Sequence, residues 1–221
     1  VIRKSTMQSS RSNYPQESEQ TFNQLIKSYL GAVQTYYHLE AACASEEVGM
    51  PGFCKFFRLC VLRTRKVAES IINWQTMRGG KLQLAEVQPI IPVNNIWQQG
   101  IEKIILAAVE VEKKLEQQLH QVYQTVREKQ DIASGEMVEH SILQTQVLVT
   151  RMVVNLYNGL RTSQNAYLFD RTTMVPLFKS IQAEIERQEG EIKTEQPKNE
   201  KQGTTKHTST GVEGFVRSMT L

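Results

Sequence analysis

The chain has 221 residues, 40% of them hydrophobic, which suits one domain with a core of its own plus terminal extensions. Its 26 basic and 23 acidic side chains leave a formal net charge of +3, too small to imply a general nucleic-acid surface. No apolar run reaches the roughly 18 residues of a membrane span, and three cysteines without C-x-x-C spacing make neither a disulfide framework nor a zinc site. Cys43, Cys54 and Cys60 are read as buried free thiols.

Residues 1–14 form an N-terminal extension without the apolar segment of a secretory signal. They carry no acid, and Glu17 is the first, a faint similarity to a transit peptide. The expected location is cytoplasmic, with mitochondrial import as the alternative. Residues 15–189 are expected to be a helical domain. In its first helix Phe22, Ile26, Tyr29, Val33 and Tyr36 recur at steps of three and four, which places them on one face. Phe53, Phe57, Cys60, Thr64, Val67 and Ile71 do the same in a second helix that opens at Pro51 and stops at Gly79-Gly80.

Lys81 to Ile96 reads as non-helical, because Pro89 and Pro92 flank extended-type residues. It is long enough to run the length of a bundle. A third helix, from about Trp97 to Lys129, aligns Ile101, Ile105, Ala108, Val111, Leu115, Leu119, Val122 and Val126. A fourth, from about Ala133 to Arg161, aligns Met137, Ile142, Gln146, Val149, Val153, Leu156 and Leu160. A shorter fifth begins near Tyr167, with Pro176 expected to kink or interrupt it. Short links join helices one to two and three to four, so each pair is antiparallel. The predicted fold class is all-α: a four-helix bundle with one long crossover, a short fifth helix and a disordered polar tail over residues 190–221. The terminal run from Gly214 to Leu221 could instead dock.

Several stretches together resemble the ferritin family. They are Pro51-Gly52-Phe53, Phe56-Phe57, Ala68-Glu69 and Arg78-Gly79-Gly80 in the second helix, Asn13-Tyr14 before the first, and Trp97. Glu112-Lys113 and Tyr167-Leu168-Phe169-Asp170 with Arg171-Thr172-Thr173-Met174 complete the set. The resemblance covers roughly residues 13–174. It implies the ferritin-like bundle, in a hollow shell of twenty-four subunits that stores iron as a ferric mineral. Heavy chains of the family oxidise ferrous iron at a di-iron site inside the bundle, and light chains favour mineral nucleation on the cavity wall. Between the fourth and fifth helices this chain is several residues shorter than the family pattern.

Carried over residue by residue, the oxidation site is degenerate. The family's first-helix Glu falls on Tyr29. The Glu pair of the second helix falls on Arg63 and Thr64, and its His falls on Val67. The third-helix Glu is kept as Glu112, the fourth-helix Gln as Gln146, and the first-helix Tyr as Tyr36. One carboxylate, one amide and one phenol remain. A single Glu offsets one of the four charges of two ferrous ions, so desolvating the ions there is prohibitive. The bland expectation is a residual hydrogen-bonded cluster of Tyr36, Glu112 and Gln146. No His stands at a position that could substitute. His38 and His120 lie off the stripes, and His140 lies near the start of the fourth helix.

The mineral-nucleating positions of the second helix read Leu59, Leu62, Arg63 and Lys66, with Glu69 alone acidic. Arg58, Arg63, Arg65 and Lys66 are either a solvated charged face or a site for an anion or protein. Glu136 and Glu139 match the acidic pair of the channels through which iron enters. Their spacing of three puts both on one face, although a helix N-terminus favours acids by its dipole alone.

The expected function is an iron-storage subunit, with iron as cargo, that lacks ferroxidase activity. Its expected partners are its own copies or intact ferritin subunits in a mixed shell, with no membrane and no nucleic acid. The alternative is a ferritin-derived interaction protein that no longer stores iron and works through its basic helix or tail.

Overall fold

The computed structural model describes residues 9–194 and 215–217. Four long helices form the bundle. They are α1 (Gln16–Ala44), α2 (Pro51–Met77), α3 (Gly100–Glu128) and α4 (residues 132–162). α4 is α-helical over Ile132–Glu136, winds as a π-helix over Met137–Leu143, and returns to α over Gln144–Thr162. The predicted stripes face inward. All their members are buried except Val33, Ile101 and Met137, which are half-buried against the same core. Each fully buried Phe, Leu or Ile contributes about 1.5–3 kcal/mol relative to exposure, so these stripes supply most of the driving force.

The crossover leaves α2 at Arg78 and follows the outside of α1. Asn23 accepts from the Gln83 amide at 2.8 Å and donates to the Lys81 carbonyl at 3.2 Å. Gln34 donates to the Val87 carbonyl at 3.2 Å, and the Ile90 amide donates to the Gly31 carbonyl and the Thr35 hydroxyl. Gly31 permits this approach, because a Cβ there would stand 2.5 Å from the Gln88 carbonyl oxygen. A short 3₁₀ turn, Ile96–Gln99, then leads into α3.

The fifth helix, α5 (residues 166–194), begins α-helical at Ala166–Phe169, takes a π-helical turn over Asp170–Met174 and continues as α over Val175–Thr194. Its anchor is Asp170, fully buried, whose carboxylate accepts from the Gly52 amide at 3.0 Å and the Phe53 amide at 2.8 Å. A carboxylate there satisfies orphan N–H groups and complements the positive end of the α2 dipole.

Three expectations differ. Pro176 does not interrupt α5. It lies two residues past the π-helical turn, in the first turn of the α segment, where the regular bonding that proline disrupts is already displaced. α5 also runs past Gly190 to Thr194, so it is not short and the first residues assigned to the tail are helical. Phe215–Arg217 form a helical turn with Phe215 and Val216 fully buried, in place of disorder. The expectations for residues 1–8 and for the rest of the tail lie outside the described residues. Cys43 and Cys60 are buried free thiols as expected, and Cys54 is half-buried. Burial holds all three thiols above their ordinary range.

Candidate functional site

Every residue carried over for the oxidation site lies in the core of the bundle. Tyr29 and Tyr36 come from α1, Arg63, Thr64 and Val67 from α2, Glu112 from α3, and Gln146 from α4. Each is no more than 1% exposed. The centre of the group is an ion pair. The Arg63 guanidinium donates to Glu112 Oε1 at 2.5 Å, with both side chains shut off from water. Tyr36 donates a short hydrogen bond to the same oxygen. Gln146 Nε2 donates to Glu112 Oε2 at 2.6 Å and to the Glu112 carbonyl at 3.3 Å. The Gln146 carbonyl oxygen in turn accepts from Tyr29 at 3.3 Å and stands 3.5 Å from Arg63 Nη1.

These contacts balance. Glu112 is a buried anion with three donors, and Arg63 is its counter-charge. Burial alone would weaken protonation of the guanidinium, but Glu112 and the phenols around it reverse this and hold Arg63 firmly charged. Burial, reinforced by the Glu112 charge, pushes the Tyr36 hydroxyl well above the ordinary phenol range, so it stays a donor. Burial does the same to Tyr29. The Thr64 hydroxyl turns back onto the Cys60 carbonyl of its own helix, and Val67 offers only methyl groups. Tyr36, Glu112 and Gln146 thus share one hydrogen-bonded network with Tyr29 and Arg63.

Arg63 corrects the reading of a four-residue basic face. It lies inside the bundle because it falls on the buried stripe between Cys60 and Val67. Arg58 and Arg65 are exposed, and each faces an acid, Glu40 at 3.6 Å and Glu69 at 3.4 Å. Lys66 is exposed, Leu59 is buried and Leu62 is half-buried. The face is thus a mixed, partly paired surface rather than a concentrated positive patch.

The centre does not suit a ferrous ion. A cation already occupies the space beside its one carboxylate, and the remaining donors are an amide and two neutral phenols. Among the described residues, no three His, Cys, Asp or Glu side chains come together as a metal-ligating group. His38, His120 and His140 are exposed.

The acidic pair of α4 stands apart from this centre. Glu136 is exposed and Glu139 half-buried at the start of the π-helical stretch. Both line a concavity of about 410 Å³ with Tyr123, Arg127, Asp131 and Ile132. Glu139 accepts from the Tyr123 hydroxyl at 2.5 Å, a bond that holds that phenol proton above its usual range.

The sequence reading missed a second charge pair, a buried Asp131 with a half-buried Arg78, which closes one end of the bundle. Asp131, fully buried, accepts from the Ser134 amide at the start of α4 and pairs with Arg78 at 3.2 Å. Arg78 also donates to the Ser12 and Asn13 carbonyls and lies over the Tyr14 and Trp74 rings. The signal was present in Arg78 of the helix-ending Arg-Gly-Gly and in Asp131 at an N-cap position.

Comparison with known proteins agrees with this architecture. The family model described as the ferritin-like domain matches residues 19–162. The chain is 27% identical to the soma ferritin of Lymnaea stagnalis over 167 residues, spanning 74% of this chain and 94% of that protein. It is 26% identical to the ferritin middle subunit of Salmo salar and 29% identical to the ferritin light chain of Oryctolagus cuniculus. Each of these alignments spans 170 residues, 74% of this chain and 95% of the relative.

Proposed function

The chain belongs to the ferritin family, and we propose that it is an iron-storage shell subunit that does not itself oxidise iron. The observation that carries this reading is the Arg63–Glu112 pair. A fixed guanidinium neutralises the one carboxylate that could have held a metal ion. Bringing a divalent cation beside it would place like charges together in a dry core, where their repulsion is least screened. The protein centre keeps the structural part of the site, a cross-link among all four helices of the bundle, and gives up its chemistry. Tyr36 and Gln146 act as positioning groups that complete the hydrogen bonds of Glu112.

In this role the chain co-assembles with intact ferritin subunits, or with its own copies, and contributes wall and channel while other subunits oxidise iron. Glu136 and Glu139 are its best candidates for contact with iron in transit, since their carboxylates border a concavity rather than a packed core. We place the protein in the cytoplasm. Among the described residues, no helix is long and apolar enough to cross a membrane.

The rival reading, an interaction protein that has left iron storage, leaned on a concentrated basic second helix. The burial of Arg63 and the pairing of Arg58 and Arg65 weaken it. Co-expression with an intact heavy-type ferritin subunit separates the two. The expected result is a shell-sized particle by native mass that contains both chains and holds iron. Recovery of this chain only outside iron-bearing shells would overturn the proposal.

A further inference from the structure

A groove on α2 is filled by the other end of the chain. Phe56 and Leu59 are buried and Arg63 lies one turn further along the same helix face, at spacings of three and four. Phe215 sits on this strip. Its ring centroid is 6.0 Å from that of Phe56, with the planes tilted by 31°. Its face lies over the Arg63 guanidinium at 5.5 Å. Arg63 Nε has no hydrogen-bond partner among the described residues, and the ring's negative face covers the cation where Glu112 and Gln146 do not. Phe215 and Val216 are both fully buried.

The sequence itself sets this segment apart. Residues 195–214 hold Val212 and Pro197 among polar residues and glycines, and the large apolar residues return as Phe215-Val216.

We infer that α2 carries a peptide-docking groove whose occupant is the chain's own C-terminal segment, with Phe215 as the aromatic anchor. The groove recognises an aromatic side chain through Phe56 and through a guanidinium held in place from behind by Glu112. While the segment is seated, it shields the Arg63–Glu112 pair from water. This inference rests on contacts within α2 and the terminus, and it holds whether or not the chain stores iron.

Hydrogen exchange on the full-length chain tests it. Amides of residues 215–217 should exchange at least tenfold more slowly than in the free peptide of residues 211–221. Phe215→Ala should bring them to the free-peptide rate, and Phe215→Tyr should preserve protection. Free-peptide rates in the native chain would overturn the inference. In a second measurement the labelled 211–221 peptide is titrated onto both full-length chains. It should bind the Phe215→Ala chain at least tenfold more tightly than the native chain, whose own tail competes. Equal binding to both, or binding to neither, would contradict a specific groove. Photo-cross-linking from benzoylphenylalanine at position 215, in mixtures of isotopically light and heavy chains, should give cross-links within one chain. Mixed light–heavy products would instead assign the groove to a neighbouring copy's tail and overturn the own-chain assignment.

Discussion

Removing one side of the Arg63–Glu112 pair should be among the most damaging single changes available in this chain. Both side chains are closed to water and meet at 2.5 Å. Arg63→Leu leaves the Glu112 carboxylate with two neutral donors, Tyr36 and Gln146, and no cation. Glu112→Leu leaves the guanidinium with the Gln146 carbonyl at 3.5 Å and the Phe215 ring, and strips Tyr36 and Gln146 of their acceptor. Breaking a buried pair from one side costs about 3–5 kcal/mol, because the survivor is an uncompensated charge. Replacing both partners by apolar residues removes that penalty and leaves only unsatisfied neutral groups, each costing about 1–3 kcal/mol. The double variant Arg63→Leu/Glu112→Leu should therefore be more stable than the sum of the singles by about 3 kcal/mol or more. The assay is urea unfolding followed by circular dichroism, for all four proteins at one subunit concentration, since assembly adds concentration-dependent stability. Singles that each cost less than about 1 kcal/mol and simply add would show that Arg63 is solvated, and the description of the core centre would be wrong.

Three further outcomes follow from the same geometry. Installing the family's ligands as Tyr29→Glu, Thr64→Glu and Val67→His should not produce metal binding while Arg63 remains. Adding Arg63→Glu should make the melting temperature rise with ferrous or zinc ions, which thermal melts with and without metal would show. Gly52→Ala would place a Cβ 2.6 Å from Asp170 Oδ1. It should weaken the cap on α2 and cost about 1–3 kcal/mol in a denaturant melt, whereas Gly49→Ala, which has open space but a φ of +59°, tests backbone strain alone. Tyr29 and Tyr36 have folded pKa values raised by burial. Their stabilising contribution is complete below the ordinary phenol value of about 10 and is lost as pH rises toward their folded values, by about 1.4 kcal/mol per pH unit for each. Absorbance at 295 nm should show these two phenols ionising only as helicity is lost.

The bundle was legible because its stripes are clean. Phe22 through Tyr36, Phe53 through Ile71 and the long runs of α3 and α4 alternate at helical spacing with little interruption, and the two prolines mark the crossover. Arg63 was the hard residue. Its neighbours Arg58, Arg65 and Lys66 are charged and exposed, so composition argued for a basic face. The counter-signal was positional, since Arg63 sits three residues after Cys60 and four before Val67 on the buried stripe. Glu112 gave a second signal, for a lone buried carboxylate demands a cation. The continuation of α5 through Pro176 depends on a π-helical turn that no propensity announces. Phe215 and Val216 lie beyond a long polar stretch, so their apolar character carried little weight until the groove on α2 was visible.

The most direct test of the central claim is oxygen uptake when ferrous iron is added to the purified native chain. With Arg63 held against Glu112, uptake should not exceed the uncatalysed background, and Glu112→Ala should leave it unchanged. Rapid, saturable uptake that disappears in Glu112→Ala would contradict the account, because it would mean that Glu112 binds iron in spite of the guanidinium beside it.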